Sequence, residues 1–544
     1  MKKLISVLLC VSILSGMTAF AAFAAEPVKR DDIIFAESAQ ALKKLERDNI
    51  PVIEVPGFGD TVYRNLHTED EGDDTTVFGP SMDRLIPALF KYLPGFLTGL
   101  TFRNHGLVTK NLGPFVLEAF DGLGCNPDGT MKQGTGIKYD NFLRIEKNMQ
   151  FIPWTDGEEP EPIYGYACKF SFKYDWRKDM HTLAGELHEY ISAVKKATDS
   201  DKVAITAFSQ GNCVVMTYLY EYYYTQTDPE IRDDIHSVVF ICGAMNGVAA
   251  CADPVSGNIK LDGLSLLRFL KFLLGSEPLT LGIYYMLEML YAVGLFDGLA
   301  VIVNDYIEAE FDAVVDPYLL ETFCGIPGFF AMMSPERYQD AEAFLFATPE
   351  LQEKYSGLIQ KNRYYHNEIQ PNMGNIIDTL MSEGKNVGII AEYGYPIAPF
   401  TSDNDRMTDS SICTADEAFG ATCAEVDGTL GEGYVQAREC VCGKNHVSLD
   451  LQIDASTCLY PDITWFAKNL KHDGSSRFWA ELVDLIIYSD EQIDVWDFSD
   501  YPQFMVEYAD SFLVPLTQEN AGDAVPFEDT LIFGKSRANG NRIF

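Results

Sequence analysis

The chain has 544 residues, of which 47% are hydrophobic and 12% aromatic. That excludes a disordered chain and leaves room for one large α/β domain with insertions, or for two or three smaller domains. The formal charge of −39, from 41 basic and 80 acidic residues, repels nucleic acid and anionic membranes and leaves neutral or zwitterionic partners.

The first 25 residues read as a secretory signal. Lys2 and Lys3 form a charged start, Ile5 to Phe20 is mostly apolar, and Ala22-Phe23-Ala24 is a small-residue cleavage site. The expectation is an exported chain, secreted or held at the cell surface. A first core segment is expected over 26–247. It opens with "IPVIEVPGFGD" (50–60), a short apolar strand running into a Pro-Gly-Phe-Gly turn. "LIPALFKYLPGFLTGL" (85–100) follows, apolar but interrupted by Pro94 and Gly95. It is read, out to about residue 107, as a lid segment. The stretch 179–197 spaces Leu183, Leu187, Ile191 and Val194 as one face of a helix.

"KVAIT" (202–206) and "HSVVFICG" (236–243) flank an apolar helix, giving strand, helix, strand. Neither run alternates in polarity, as expected of parallel strands covered on both faces. "KNVGIIAEYGYP" (385–396) is a further run of this kind. The fold class is therefore α/β, with a mostly parallel, doubly wound sheet. Between 248 and 384 the alternation stops and long apolar helical patterns take over. The run 279–303 is long enough to span a membrane, but Glu288 and Asp297 lie inside it. It is read with its neighbours as a helical cap insertion. The core resumes over 385–490, and 491–544 reads as a tail wrapped on the core.

The chemistry centres on "AFSQG" (207–211), where a β-rich run meets a helix. A serine hydroxyl becomes a nucleophile when a base takes its proton and a third group orients that base. A sharp strand–Ser–helix turn exposes the hydroxyl, and it needs small residues two before and two after. Ala207 and Gly211 qualify, although glycine is usual at the first position. The oxyanion amides would come from Gln210, next to Ser209, and from Phe58 in the turn after the first strand. In such folds the order is serine, acid, histidine. His236 begins a core strand, and His366 lies in a polar stretch and is read as a surface residue. His446 follows a turn. His472 sits on a loop before the helical pattern "FWAELVDLII", where the base belongs. Asp403, Asp405, Asp409 and Asp416 all follow the 385–396 run, and spacing does not choose among them.

The chain has 12 cysteines. Cys213 and Cys242 lie in apolar stretches and are read as buried thiols. Cys413, Cys423, Cys440, Cys442 and Cys458 cluster in a loop-rich region and are disulfide candidates in an exported protein. Cys440-Val441-Cys442 lacks the spacing and second pair of a zinc site, so no metal is expected there.

Taken in order, "PVIEVPGFG" (51–59), "YDWR" (174–177), "AFSQG" (207–211), "FICGAMNG" (240–247), "EYGYP" (392–396), "FGATC" (419–423), "IDASTC" (453–458) and "WFAKNLKH" (465–472) resemble the lecithin:cholesterol acyltransferase and lysosomal phospholipase family, in its secreted bacterial form. The resemblance implies an α/β-hydrolase fold with cap and lid. It implies acyl transfer from a lipid ester or phospholipid to Ser209, then to water, or to a sterol or other alcohol. Contact with a membrane or lipid aggregate follows from such a substrate. The resemblance makes His472 the base, with oxyanion amides from Phe58 and Gln210, and requires no metal or cofactor. It places the acid in an Asp-Gly-x-Val slot that "TDSSIC" (408–413) fills, which selects Asp409, with Ser410 and Ile412 replacing the glycine and valine. Asp405 and Asp416 remain alternatives. A lipid-binding protein without catalysis on the same scaffold is the competing reading.

Overall fold

The computed structural model describes residues 50–64, 75–78, 85–138, 169–258, 261–274, 281–310, 313, 318–396, 401, 406–426, 428–472, 479–508 and 512–521. The signal sequence, Asp403 and Asp405 lie outside these residues.

An eight-stranded sheet carries the fold. Its strands are β1 (Val52–Val55), β2 (Lys169–Ser171), β3 (Val203–Phe208), β4 (Ile235–Ile241), β5 (Asn386–Tyr393), β6 (Thr464–Lys468), β7 (Phe504–Tyr508) and β8 (Phe512–Pro515). They lie in the order β2-β1-β3-β4-β5-β6-β7-β8. Every pairing is parallel except β7 with β8. The β-branched run of β4 and all of β5 are buried, as two-sided coverage requires. The strand order reverses at β1, which has β2 on one side and β3 on the other. In open α/β sheets such a reversal opens a crevice at the carboxyl ends of the strands.

The 491–544 stretch does more than wrap the core. It supplies β7 and β8, which extend the sheet from β6 through the Phe466↔Phe504 register. Strands this short, at an edge, carry too little period to be read from sequence.

The stretch expected as a lid, 85 to about 107, holds α1 (Leu85–Thr101) and the first turn of α2 (His105–Ala119). Pro94 and Gly95 do not break α1, which runs through both. Helix α3 (Met180–Thr198) buries Leu183, Leu187, Ile191 and Val194, and Asp179 caps its start by accepting the Thr182 amide at 3.0 Å. Each such buried aliphatic contributes about 1.5–3 kcal/mol. Helix α4 (Gly211–Leu219) follows β3 directly and is buried along its length.

The insertion holds α5 (Gly263–Leu274), α6 (Leu281–Ala292) and α7 (Leu295–Glu310). The apolar run 279–303 splits between α6 and α7, which are bent by 73°. Among the described residues no single helix is long and apolar enough to cross a membrane. Glu288 explains part of this. It is buried in an ion pair with Lys271 of α5 at 2.6 Å, so α6 packs on protein on that side. The α1–α2 pair joins the insertion through Thr109 and Tyr306, whose hydroxyls lie 3.0 Å apart. Phe90 and Phe102 stay 74% and 76% exposed, as do Met286, Met289, Val293 and Val301 at 48–75%. Large apolar side chains are thus exposed on or next to each of α1, α6 and α7. Helix α8 (Ala480–Tyr488) is buried throughout.

Candidate active site

Strand β3 ends at Phe208, and α4 begins at Gly211. The chain reverses direction in the two residues between. Ser209 takes up the strain with φ of 54°, a left-handed conformation that costs a non-glycine residue about 1–3 kcal/mol. Its amide donates to the Ile241 carbonyl at 3.1 Å, and Asn212 donates from its amide and its side chain to the Ser209 carbonyl. A turn this tight needs bare backbone around it. A Cβ on Gly211 would sit 2.3 Å from the Val55 carbonyl, and one on Gly57 would sit 2.7 Å from the Ser209 Cβ. Ala207 is fully buried, paired between β1 and β4.

Loops after β5 and β6 bring the other two groups. The loop after β6 delivers His472, whose Nε2 is 2.9 Å from the Ser209 Oγ. The loop after β5 delivers Asp409, whose Oδ2 is 2.5 Å from the His472 Nδ1. The His472 amide also donates to the Asp409 carbonyl at 3.0 Å. All three side chains are buried. The other Asp409 oxygen accepts the amides of Ser411 at 2.8 Å and Ile412 at 2.7 Å. Ser410 has φ of 86°, and this is the slot where the resembled family carries glycine. Asp416 lies elsewhere. Its carboxylate faces Arg406, and burial lifts it to about 6.

The Tyr174-Asp175-Trp176-Arg177 stretch holds the turn after β1 in place. Tyr174 donates to the Pro56 carbonyl at 2.8 Å, and the Trp176 indole donates to the Asp60 carbonyl at 2.9 Å. The Phe58 ring packs on Trp176 at 4.2 Å between centroids. Arg177 and Asp175 form a buried two-point ion pair, at 2.9 and 2.7 Å. Gln210 is buried too. Its side chain donates to the carbonyls of Trp176 at 3.1 Å and Gly328 at 2.8 Å. Phe58 and Gln210, named from the sequence for their backbone amides, thus lie on two segments tied to each other beside Ser209.

A layer of buried acids behind Asp409 was not singled out from the sequence. The polar atoms of Cys242, Asp409, Glu417 and His472 lie within 4.8 Å of one another. Glu417 accepts the Glu392 amide at 2.7 Å, and Glu392 accepts the Trp479 indole at 2.9 Å. Burial, followed by the negative charges of Asp409 and Glu392, pushes the Glu417 carboxyl far above its ordinary value. Burial alone would also lift Asp409. The His472 charge, the His472 and Glu417 hydrogen bonds and the Ile412 amide outweigh it, and Asp409 lies below its ordinary value. The two shifts run in opposite directions and favour charge on the carboxylate against the imidazole over the carboxyl behind it.

Two expectations need correction. His366 is buried, not on the surface. Its ring stacks on Tyr338 at 4.0 Å and bonds Gln370 and the Phe330 carbonyl, and burial lowers it to about 4. It sits in a π-helical turn, Tyr365–Ile369, which shifts the apolar face that helical spacing would assign. None of the five loop cysteines is in a disulfide: Cys413, Cys423, Cys440, Cys442 and Cys458 are all free thiols. Cys213 and Cys242 are buried thiols, both pushed up by desolvation.

No protein-family model matches the chain, and no curated protein matches it. A chain from the crystal structure of the Tle4-Tli4 complex shares 14% identity with it, over 39% of this chain and 48% of that one, at a TM-score of 0.19. This chain spans about half of that neighbour, and a likeness of that size carries no weight for fold or function.

Chemically, an imidazole between a buried carboxylate and a strained serine hydroxyl is a proton relay. It can take the hydroxyl proton as the oxygen attacks an acyl carbon, and return it to a leaving group.

Proposed function

We propose that this chain is an exported serine ester hydrolase of the α/β-hydrolase type, acting on lipid acyl esters as a lipase or phospholipase. The observation that carries this reading is the Ser209–His472–Asp409 chain of contacts at 2.9 and 2.5 Å, with Ser209 at positive φ on a strand-to-helix turn. The Ser209 proton passes to the His472 Nε2 as Oγ bonds to the ester carbonyl carbon. The backbone amides of Phe58 and Gln210 take the oxyanion. Collapse expels the alcohol, which leaves with the proton from His472, and water repeats the sequence to free the acid. Asp409 holds the ring orientation and stabilises the imidazolium.

A lipid substrate is supported by the exposed apolar side chains on α1, α6 and α7. The charge of −39 favours neutral or zwitterionic lipid over anionic surfaces. The lecithin:cholesterol acyltransferase and lysosomal phospholipase resemblance points to the same substrates. Ser209 is 1% exposed. Such burial also suits transfer to a sterol or other alcohol, because water is kept from the acyl-enzyme.

A fluorophosphonate probe tests the catalytic reading. An adduct mapped to Ser209, absent in Ser209→Ala, is the expected result. Folded protein that takes up no probe is instead a lipid-binding scaffold. Labelled phosphatidylcholine with added alcohol then separates free fatty acid from transferred acyl product.

A further inference from the structure

Away from Ser209, at the start of β6, a second histidine organises a cluster of donors. His446 is fully buried. Its amide donates to the Gln436 side chain at 2.9 Å, and its carbonyl accepts the Ala455 amide at 2.9 Å. Its Nδ1 lies 2.8 Å from the Gln503 Oε1. Gln503 gives its own amide hydrogens to the Pro461 and Thr464 carbonyls, at 2.7 and 3.1 Å. The amide oxygen must therefore face His446, and Nδ1 must be the donor. In the neutral ring this leaves the lone pair on Nε2.

That lone pair faces two further electron-rich atoms. The Cys442 Sγ is 3.1 Å away and the Asp462 Oδ1 is 3.5 Å away. The three donor atoms lie within 4.8 Å of one another. A thiol hydrogen bond accounts for the Cys442 contact, and the Asp462 Oδ1 accepts the Trp496 indole at 3.5 Å, yet that oxygen still lies 3.5 Å from the Nε2 lone pair. A proton between them satisfies one contact at a time, whereas a metal ion satisfies all three. Tetrahedral zinc with these ligands sets its donor atoms roughly 3.3–3.6 Å apart; the His446–Asp462 separation of 3.5 Å falls in that range and the His446–Cys442 separation of 3.1 Å just below it. Thiolate, imidazole and carboxylate suit zinc among the common divalent ions. Gln503 behind His446 fixes the ring and its tautomer, as partners of metal-ligating histidines do.

We propose that Cys442, His446 and Asp462 form a zinc site, with water in the fourth position. The thiol proton leaves on binding, so thiolate and carboxylate balance the two charges of the ion. Cys442 lies on a loop turn and Asp462 on the Pro461–Ile463 turn just before β6. The ion would therefore staple the 424–446 loop to the strand that leads to His472. The Cys440-x-Cys442 spacing gives no hint of this, because the fold supplies the other two donors.

The test uses the exported full chain, dialysed against zinc and freed of loose metal. The expected result is about one zinc per chain and a Tm about 2–3 °C higher at a hundredfold excess over Kd. Cobalt should give a thiolate-to-metal charge-transfer band, and bound metal should protect Cys442 from alkylation. Cys442→Ser should abolish the band and the retained zinc, Asp462→Asn should weaken retention at least tenfold, and Cys440→Ser should keep both. The acidic surface binds cations weakly, and Cys442→Ser shares that background. Equal zinc in wild type and Cys442→Ser overturns the proposal, as does Cys442 found in a disulfide. If Cys442→Ser does not fold, the cobalt spectrum of the wild-type chain decides, and no thiolate band overturns the site.

Discussion

His472 and His446 are two versions of one arrangement. Each is buried, each bonds an oxygen through Nδ1, and each turns Nε2 to a nucleophilic atom, the Ser209 oxygen in one case and the Cys442 sulfur in the other. The difference is behind the ring. Asp409 is a carboxylate, which on the proposed mechanism stabilises an imidazolium; Gln503 is a neutral amide, which fixes a tautomer without a charge of its own. Around Nε2 the contrast repeats. His472 meets one hydroxyl beside a strained turn, and His446 meets a sulfur and a carboxylate. A relay needs a ring that can gain and lose a proton, whereas a ligand needs one that keeps its lone pair exposed. Similar geometry therefore supports two chemistries: the group behind Nδ1 sets how well charge on the ring is supported, and the atoms facing Nε2 set what the ring can bind.

The sharpest way to break that comparison is to make the first site resemble the second. Asp409→Asn places an amide behind His472 while keeping the shape of the side chain. On the proposed mechanism kcat for a soluble ester falls by about 10⁴-fold, with far-ultraviolet circular dichroism unchanged. A loss of less than tenfold would show that the carboxylate does not support charge on His472, and the contrast with Gln503 would collapse. Ser209→Ala should lower kcat by about 10⁶-fold, to the residual rate of binding and oxyanion contacts.

The acid layer offers a subtler test. Asp409 lies below its ordinary value of 3.8, so its contribution to stability is present above that value and fades as pH falls through the folded one. Glu417 runs the other way. Its folded value lies far above the ordinary 4.5, so stability is full below 4.5 and declines as pH rises towards the folded value. Glu417→Gln keeps a neutral hydrogen-bonding group and removes that decline. Urea unfolding at pH 5 and pH 8 should show the variant gaining on wild type as pH rises. A stability difference, variant minus wild type, that does not increase from pH 5 to pH 8 would mean that Glu417 is ionised beside Asp409.

What the sequence revealed followed from where short-range signals survive. The Ser209 turn was legible because its small neighbours, Ala207 and Gly211, are a steric demand written into five residues. His472 was legible from order along the chain. The parallel strands showed as unbroken apolar runs. Asp409 needed the family resemblance, because four aspartates follow β5 and packing selects among them. Glu417 looks like any solvated acid in "TADEAFG"; its partner is the Glu392 amide, distant in sequence. His446, Cys442 and Asp462 meet only through the loop that packs at the start of β6. The strands β7 and β8 were hidden by their shortness, and His366 by a π-helical turn.

Ser410 gives the smallest predicted effect and separates fold from chemistry at the acid loop. Its φ of 86° is a conformation that favours glycine, and its amide donates to the Thr408 hydroxyl at 2.9 Å while Asp409 collects the two amides that follow. Glycine would relieve the steric strain at the cost of a more flexible unfolded chain, and the two terms nearly offset. A net change within about 0.5 kcal/mol, on the stabilising side, is expected for Ser410→Gly, read as a slightly higher urea midpoint at unchanged slope. Ser410→Val keeps the Cβ and adds branching where φ is positive, so it should lose at least as much stability. It should also lower kcat, because the Ser411 and Ile412 amides that hold Asp409 would shift with the turn. If Ser410→Val is as stable and as active as wild type, the loop does not depend on this conformation, and the carboxylate behind His472 is held by its burial and its partners alone.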